Sequence, residues 1–386
     1  MKRVLLRGPF LTSSGYGVHA RQVARWALSR SDWDIKIQAM SWGITPWLID
    51  KNDENGLIGT IIEKTASLDG SSVFDISFQV QLPNEWDSKL ARVNVGITAA
   101  VETDRCNPEW IDACNRMTAV VVPSNYTKSV LESSGTLRVP VLVIPESYHD
   151  ELAQEDTQKF SHEFSTKFNF LVFGQLTGNN PENDRKNLFY TLKWILEEFK
   201  DDKDVGVILK TNSGRQTKID KLMSEKFVKQ MVKEVRKSPY PKVNLLHGKM
   251  SNREITSLMR DSSVKALVSL TRGEGYGLPI LEAAAVGLPV IATGWSGHLD
   301  FLKSDFISVD YTLGEIHSSR VDNKIFMKGA NWAHPSEKDA KRRLRKFYES
   351  SIIPRNRALE SAKRIQHDYS FSSISKIYEE KLSLYL

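Results

Sequence analysis

Cysteine is scarce in this sequence. Of the 386 residues only Cys106 and Cys114 are cysteines, which is too few for a disulfide framework or a structural zinc site. We therefore expect both thiols to be buried packing residues rather than a redox pair.

Long hydrophobic runs are also missing. No apolar stretch approaches the roughly 20 residues that a membrane-spanning helix needs. The first ten residues, MKRVLLRGPF, are basic and place only three consecutive apolar residues before Arg7, so they do not resemble a secretory signal. The sequence predicts no transmembrane segment, and we expect a cytoplasmic protein for which peripheral contact with a membrane stays open.

Neither sign of charge dominates. The 53 basic and 47 acidic residues leave a formal net charge of +6. This excess favours anionic partners such as a nucleotide sugar, a phosphorylated lipid surface or nucleic acid. It is equally typical of a mildly basic protein without a special partner. The composition, 40% hydrophobic and 26% charged, is that of a soluble globular protein long enough for two domains.

An alternating pattern organises the chain. Short apolar runs rich in β-branched residues alternate with amphipathic segments, which predicts an α/β fold with doubly wound parallel sheets. The polar stretch 151–167 reads as a linker between two domains. We place an N-terminal domain at 1–165, a C-terminal domain at 166–365 and a final helical segment at 366–386.

The most informative segment is 267–302, LVSLTRGEGYGLPILEAAAVGLPVIATGWSGHLDFL. It reads as a strand, a turn with three glycines in five residues, a helix with Pro279 in its first turn, and a second strand after Gly287. A loop that opens a helix at the carboxyl end of a parallel strand is where open α/β sheets bind ligands.

Two carboxylates frame this turn, Glu274 in the loop and Glu282 on the helix, with seven residues between them. Carboxylates accept hydrogen bonds from sugar or ribose hydroxyls, and the amides at a helix N-terminus suit a phosphate. A site that binds both hydroxyls and a phosphate is typical of proteins that bind a nucleotide sugar. The alternative is that Glu282 only caps a surface helix and Glu274 is a loop charge.

This segment resembles the signature of the retaining glycosyltransferases of family four, E-G-F/Y-G-L/M-P-x-x-E-A-x-A-x-G-x-P-V-I/V-A, from Glu274 to Ala292. The resemblance implies the GT-B fold, in which two Rossmann-like domains face each other and a C-terminal helix crosses back to the first. It also implies that Glu274 contacts hydroxyls of the donor sugar and that Glu282 holds the ribose. The backbone amides expected to contact the donor belong to four consecutive residues: Gly275, Tyr276, Gly277 and Leu278.

A pair of cations follows the first strand of the second half. Arg185 and Lys186 stand directly before a predicted helix, where they would meet a diphosphate and stabilise the charge of that leaving group. The family places an arginine and a lysine from this loop on the donor diphosphate. Lys186 matches the lysine, whereas the arginine position is Gln175 here, so Arg185 is the candidate replacement. The alternative is a solvated surface pair.

Five further residues are expected to bind the donor. Lys210 lies at the ligand-facing end of the strand VGVILK. The resemblance implies that the turn containing Gly248 and Met250 holds the nucleotide base, and that the loop of Gly15 and Gly17 faces the diphosphate and the acceptor. The alternative for these two glycines is an ordinary strand-to-helix turn.

The histidine that many family members carry at the end of one strand is missing. Thr98, Ala99 and Ala100 occupy the nearest positions. Glu102 is our candidate for positioning or deprotonating the acceptor, and the alternative is that it caps the helix after Pro108. The family is thought to transfer sugar by front-face departure and attack, which needs no protein nucleophile.

We expect no metal and no cofactor beyond the nucleotide-diphosphate sugar, which is the donor substrate. The motif Asp32-Trp33-Asp34 resembles the metal-binding motif of another glycosyltransferase fold but precedes a strand instead of following one. The first glycine loop lacks the spacing of the dinucleotide fingerprint, so a nicotinamide cofactor is not expected.

No motif in the sequence identifies the acceptor. The resemblance favours hexosyl or pentosyl transfer to a surface glycan or a lipid-linked saccharide. A hydroxylated base in DNA is an alternative, because Trp42 and Trp47 could stack on a flipped base. A sugar-nucleotide binding protein without catalysis is another alternative.

Two segments are rich in basic residues. The basic run 341–346 is either a phosphate-binding stripe or exposed charge. The lysines of 218–237 are typical of the solvated face of an amphipathic helix.

Overall fold

A computed structural model describes residues 1–68, 73–154, 159–176, 180–212 and 214–386 of the chain. These residues form two compact units. The first unit contains Met1–Ser147, Asn323–Met327 and Phe371–Leu386. The second unit contains Tyr148–Asp322 and Lys328–Ser370.

The first unit is built on a six-stranded parallel sheet. Its strands are, in chain order, β1 (Lys2–Gly8), β2 (Trp33–Ala39), β3 (Phe74–Val80), β4 (Ala91–Ile97), β5 (Ala119–Val122) and β6 (Val141–Val143). Their order across the sheet is β2-β1-β3-β4-β5-β6. In the centre Val4 of β1 pairs with Ile76 of β3. Central parallel strands are buried on both faces, which explains their nearly continuous apolar sequence.

Helices connect these strands. They are α1 (Gly15–Leu28), α2 (Leu57–Ala66), α3 (Pro108–Cys114) and α4 (Asn125–Ser134). The α1 helix begins after Ser14, whose hydroxyl accepts a hydrogen bond from the Gly17 amide at 2.9 Å. The α3 helix begins after Asn107, whose side chain accepts from the Glu109 amide at 3.0 Å. The alternative interpretation of Glu102 as the cap of this helix is therefore wrong.

The second unit repeats the architecture. Its parallel strands are β7 (Phe168–Phe173), β8 (Val205–Lys210), β9 (Lys242–Leu246), β10 (Val264–Ser269), β11 (Val290–Thr293) and β12 (Ile307–Val309). The order across the sheet is β12-β11-β10-β7-β8-β9. A separate antiparallel pair, β13 (Tyr311–Glu315) and β14 (Asn331–Pro335), was not predicted from the sequence.

Seven helices of the second unit lie in the described ranges. They are α5 (Leu188–Glu198), α6 (Lys218–Val235), α7 (Asn252–Met259), α8 (Leu278–Ala285), α9 (Leu299–Leu302), α10 (Glu337–Glu349) and α11 (Ile352–Asp368). The α7 helix begins with the predicted capping box, in which Ser251 and Glu254 satisfy each other's backbone amides.

Both faces of the second sheet are covered. Phe170 of β7 packs among Leu192 and Phe199 on one face, while the next residue, Leu171, packs with Leu281 of α8 on the other. Adjacent residues of a strand point to opposite faces, so this unit has three layers with the sheet in the middle. The glycine-rich turn lies at the carboxyl end of β10, in the central part of that sheet.

The boundary between the units differs from the predicted one at 165. Tyr148 and Leu152 are buried in the core of the second unit with Leu258 and Leu281, so the crossover follows Ser147. Phe160 and Phe164, two further apolar residues of the segment 151–167, also pack against this core. Residues 155–158 of the predicted linker lie outside the described residues.

The last helix, α12 (Phe371–Leu382), belongs to the first unit. Tyr378 stacks on Trp26 of α1, with ring centroids 4.8 Å apart. The Trp26 indole N–H also donates to Glu379 at 2.8 Å. The chain therefore returns to its first unit at its C-terminal end, as the resemblance implied.

Candidate functional site

The glycine-rich turn is shaped by close backbone approaches. Gly277 stands before α8 with a φ of +102°, a left-handed conformation that favours glycine. A Cβ at Gly297 would lie 2.1 Å from the carbonyl oxygen of Gly275, so the loop after β11 can approach the turn only without a side chain. These contacts fix the path of the chain from β10 into α8.

Glu274 lies in this turn and is paired with both predicted cations. Its Oε1 is 2.6 Å from Lys186 Nζ, and its Oε2 is 3.2 Å from Arg185 Nη1. The same Arg185 nitrogen donates to the carbonyl oxygen of Gly273 at 2.6 Å. All three predicted side chains therefore meet at the carboxyl end of β10, although 88 residues separate Lys186 from Glu274 in the sequence.

The charges of this cluster determine the protonation state of Glu274. Burial raises the pKa of its carboxyl group, but the neighbouring Lys186 and Arg185 outweigh burial and lower the pKa to about 2. The carboxyl group is therefore ionised at neutral pH. A carboxylate with two cations beside it can accept hydrogen bonds from hydroxyls and leaves one net positive charge for an anion. The interpretation of Glu274 as a simple loop charge is wrong, because its side chain is buried.

The cluster is held on both sides by backbone contacts. Asp184 accepts hydrogen bonds from the amides of Lys186 and Leu188 at 3.2 and 2.9 Å, which fixes the start of α5. On the other side, the Glu274 amide donates to Ser296 Oγ at 2.9 Å. The Gly297 amide donates to the Glu274 carbonyl oxygen at 2.9 Å. Groups positioned in this way need little reorganisation to bind a ligand.

Glu282 lies inside α8, five residues after the Gly277 cap, so it does not cap the helix as the alternative interpretation required. Its side chain is 15% exposed, and its Oε1 is 3.9 Å from Nε2 of His149. The other nitrogen of this histidine, Nδ1, is 3.2 Å from Glu151 Oε2. Burial raises the pKa of Glu282, and His149 opposes this shift. Glu282 therefore has an imidazole partner.

His149 was not identified from the sequence. It follows the first unit's last strand in a segment without periodicity or motif, so no sequence signal pointed to it. Its hydrogen bond to Glu151 is the first of the causes that lower the pKa of that carboxyl to about 2. A row of polar side chains therefore runs from Glu282 on α8 through His149 to Glu151.

Lys210 and Gly248 lie in contact, whereas the donor binding predicted for each stays a prediction. Lys210 is buried at the end of β8, and its ammonium donates to the carbonyl oxygen of Gly248. Burial lowers the pKa of this lysine. Gly248 has a φ of +99° and open space on the side where a Cβ would stand. Met250, two residues later, packs partly against the core. The turn after β9 is therefore tied to the end of β8.

The side chains of Tyr276 and Leu278 face the interior. Tyr276 is buried and packs edge-on against Phe301, with ring centroids 5.2 Å apart. Leu278 is partly buried against the same core. Their contact with a donor, predicted through backbone amides, stays a prediction, as it does for Gly275 and Gly277.

The two predicted glycines of the first unit differ in their surroundings. A Cβ at Gly17 would lie 2.2 Å from the Thr12 carbonyl oxygen, whereas nothing lies within 4 Å of a Cβ at Gly15. Gly17 is therefore required by packing at the start of α1. Gly15 has room beside it for a ligand or a side chain.

Tyr16, between these glycines, contacts the strand end where the family histidine is missing. Its hydroxyl lies 2.9 Å from Thr98 Oγ1 and accepts from the Ala99 amide at 3.0 Å. Its ring stacks on Trp42 at a centroid distance of 4.0 Å. Burial raises the pKa of Tyr16, and the charge of the partly buried Glu102 adds to this shift. Tyr16 and Glu102 thus lie close enough to interact electrostatically. Tyr16 was not identified from the sequence, because it stands between two glycines and belongs to no motif of its own.

The basic run 341–346 is largely engaged in ion pairs. Lys341 Nζ lies 2.7 Å from Glu197, and Arg345 Nε lies 2.8 Å from Glu198, both on α5. Arg342 and Arg343 both pair with Asp339. The first two pairs connect α10 to α5, and the last two lie within α10. Because these four cations already have acidic partners, the run is not a free phosphate-binding stripe.

In the part of the chain that the structure describes, no three His, Cys, Asp or Glu side chains are grouped closely enough to hold a metal ion. Asp32, from the Asp-x-Asp motif, pairs with Arg30 at 3.1 Å. Cys106 and Cys114 are both free and buried.

Known structures share this architecture along the whole chain. HepE from Anabaena, solved in complex with UDP and glucose, has a TM-score of 0.66 at 12% identity and covers 99% of this chain and 100% of its own. Sucrose-phosphate synthase from Thermosynechococcus elongatus has a TM-score of 0.64 at 12% identity, with 100% of both chains covered. A glycosyltransferase from Rickettsia africae has a TM-score of 0.64 at 12% identity, covering 100% of this chain and 97% of its own.

Sequence comparison reaches only part of the chain. Residues 202–312 match the family described as glycosyl transferases group 1. No curated protein matches the chain. The matched segment contains Glu274 and Glu282 but not Arg185 and Lys186. Together these comparisons and the two parallel sheets show that the chain has the predicted α/β GT-B fold, with a second unit similar to the group 1 glycosyl transferases.

Proposed function

We propose that this protein is a glycosyltransferase that moves a sugar from a nucleotide-diphosphate sugar to an acceptor hydroxyl with retention of anomeric configuration. The observation that carries the proposal is the cluster of Glu274, Lys186 and Arg185 at the carboxyl end of β10. The match of 202–312 to the glycosyl transferases group 1 supports the same activity.

In this proposal each side chain of the cluster binds a different part of the donor. Lys186 and Arg185 bind the diphosphate, and their charge stabilises the leaving group as its bond to the sugar breaks. Glu274 accepts hydrogen bonds from sugar hydroxyls. The bond between the anomeric carbon and the diphosphate oxygen breaks while the acceptor oxygen bonds to the same face of that carbon. The acceptor proton passes to the departing phosphate oxygen, so no protein nucleophile is required.

The nucleoside is assigned to residues farther along the sheet. Glu282, supported by His149 at 3.9 Å, accepts the ribose hydroxyls. The turn of Gly248, held by Lys210, receives the base. Uridine is the first base to test, because HepE structures of similar fold contain UDP and UDP-glucose.

For the acceptor we propose a surface glycan or a lipid-linked saccharide. Part of what favoured DNA as the acceptor is engaged within the protein, although Trp47 is 49% exposed. Trp42 stacks on Tyr16, and the basic run 341–346 is paired with acidic side chains. Glu102, near Tyr16, remains our candidate for positioning the acceptor hydroxyl. We propose a cytoplasmic enzyme that acts without a metal ion.

A donor screen tests the proposal. Thermal stabilisation would be measured with UDP-, GDP- and ADP-sugars, with and without Mg²⁺, for the wild type, Glu282→Ala and the matched exposed variant Glu163→Ala. We expect one nucleotide sugar to raise the Tm of the wild type and of Glu163→Ala but not that of Glu282→Ala, independently of Mg²⁺. Absence of stabilisation by every donor would overturn the donor site, and dependence on Mg²⁺ would overturn the metal-independent assignment.

A further inference from the structure

The α6 helix exposes apolar side chains on its outward face. Its buried side consists of Asp220, Ser224, Val228 and Met231. On the other side, four large apolar residues are exposed by 71, 64, 63 and 40%: Ile219, Leu222, Met223 and Phe227. Their spacing of three and four residues places them on one stripe of the helix. A contiguous apolar stripe on the surface is a mark of an interaction site.

Lysines lie beside this stripe, mainly along one of its edges. Five of them are exposed on α6: Lys218, Lys221, Lys226, Lys229 and Lys233. Within the described ranges, none of the five makes an ion pair. The only fully exposed acidic residue of the helix is Glu234, because Asp220 is turned inward toward His247 at 3.2 Å and Glu225 is partly buried. The outward face of α6 is thus both apolar and strongly basic.

We propose that this face of α6 docks on an anionic lipid surface. An amphipathic helix with lysines flanking an apolar stripe lies in the membrane interface, where its apolar side chains enter the acyl boundary and its cations meet the lipid phosphates. No helix among the described residues is long and apolar enough to cross a membrane, so the contact is peripheral.

The chemistry of the face favours lipid over other anionic partners. A nucleic-acid backbone would satisfy the lysines but would leave the four apolar side chains without an apolar surface to contact. A second copy of the same face would bring two sets of lysines together, and like charges repel. A bilayer with anionic head groups satisfies both features at once. This inference does not depend on the proposed glycosyl transfer.

Vesicle co-sedimentation of the full chain tests the proposal. Phosphatidylcholine vesicles would be compared with vesicles that also contain phosphatidylglycerol, at low and high salt. We expect binding to the mixed vesicles that weakens as salt rises, and at least about tenfold weaker binding to phosphatidylcholine alone, since each lysine near an anionic surface contributes separately.

Paired variants assign the binding to α6. Lys226→Glu with Lys229→Glu, and separately Leu222→Ser with Met223→Ser, should each weaken binding by at least about tenfold. The matched controls are Lys200→Glu with Lys203→Glu, which changes the net charge equally, and Ile352→Ser, which removes an exposed apolar residue of α11. Both controls should bind like the wild type. Circular dichroism would confirm that every variant is folded.

Several results would overturn the proposal. One such result is the absence of binding to mixed vesicles. Another is binding to mixed vesicles that is the same for the wild type and the α6 variants. Self-association lost in Leu222→Ser would assign the face to a second copy instead. Binding to duplex DNA without binding to vesicles would assign it to nucleic acid.

Discussion

Lys186 Nζ lies 2.6 Å from Glu274 Oε1, so the residue that we assign to the diphosphate is paired with the residue that we assign to the sugar. Each holds the other in position. Arg185 completes the cluster at 3.2 Å from the second carboxylate oxygen. Donor binding then redistributes contacts among groups that are already oriented, and loss of one member disturbs the others.

The first prediction concerns Lys186. Replacing Lys186 by Ala should lower kcat/KM about 10²-fold or more, because it removes a charge from the leaving group and releases one of the two cations that orient Glu274. Steady-state kinetics with the identified donor would measure the loss. Lys203→Ala, an exposed lysine of the same unit, is the control. Equal activity of the two variants would contradict the assignment of Lys186 to the diphosphate.

His149 should affect donor binding more than turnover. Its Nε2 lies 3.9 Å from Glu282 Oε1, too far for a hydrogen bond, so His149→Ala removes a polar neighbour of that carboxyl group and is expected to raise KM for the donor by up to about fivefold, the effect of losing at most about 1 kcal/mol, with a smaller change in kcat. The exposed His162→Ala serves as control. A fall in kcat at unchanged KM would show that His149 acts on the reacting groups and not on the ribose.

Because His19 is buried, we predict that the free energy of unfolding depends on pH. It lies 3.4 Å from the Tyr378 hydroxyl and 3.9 Å from Glu146, and burial lowers its pKa to about 4. Because the fold favours the neutral ring, the stabilisation is complete above the usual pKa near 6.5 and is lost as pH falls toward 4. The free energy of unfolding should drop by about 2 kcal/mol between about pH 7 and pH 5 from this group alone.

Denaturant unfolding of wild type and His19→Gln at both pH values would measure this contribution. The variant should lose that part of the pH dependence, whatever its stability at neutral pH. His367→Gln, whose side chain is 87% exposed, should keep it. The same slope in all three proteins would show that His19 is not the group responsible.

The two glycines at the start of α1 give a matched pair. Gly17→Ala should destabilise the protein by about 1–3 kcal/mol, because the new Cβ would lie 2.2 Å from the Thr12 carbonyl oxygen. Gly15→Ala meets nothing within 4 Å and should leave the Tm nearly unchanged. Thermal unfolding distinguishes them, and equal Tm values would contradict the packing described for Gly17.

The sequence contained enough information for the fold and for the centre of the site. Buried parallel strands are apolar runs, and the turn between β10 and α8 is dense in glycine and proline, so both could be recognised locally. Because loops at the carboxyl ends of neighbouring parallel strands meet, Glu274, Arg185 and Lys186 could be expected at the same edge of the sheet, but the ion pairs among them were not predicted.

Other residues could not be found in this way. His149 acts through Glu282, a contact across more than a hundred positions, and Tyr16 acts through Thr98 at another strand end. Lys341 and Arg345 of the basic run looked free because their partners, Glu197 and Glu198, lie on α5. When the role of a side chain depends on a partner that is distant in the sequence, no local sequence pattern marks it.

The most direct test of the account is turnover of a labelled donor sugar. The identified nucleotide sugar would be incubated with glycan and lipid-linked acceptors and with wild type, Glu274→Gln or Glu163→Gln, and the product's anomeric configuration would be read by NMR. We predict a product with the donor's configuration from the wild type and Glu163→Gln, and about 10²-fold less from Glu274→Gln. Donor binding without any transfer or hydrolysis would contradict an enzymatic role, and an inverted product would contradict the retaining mechanism.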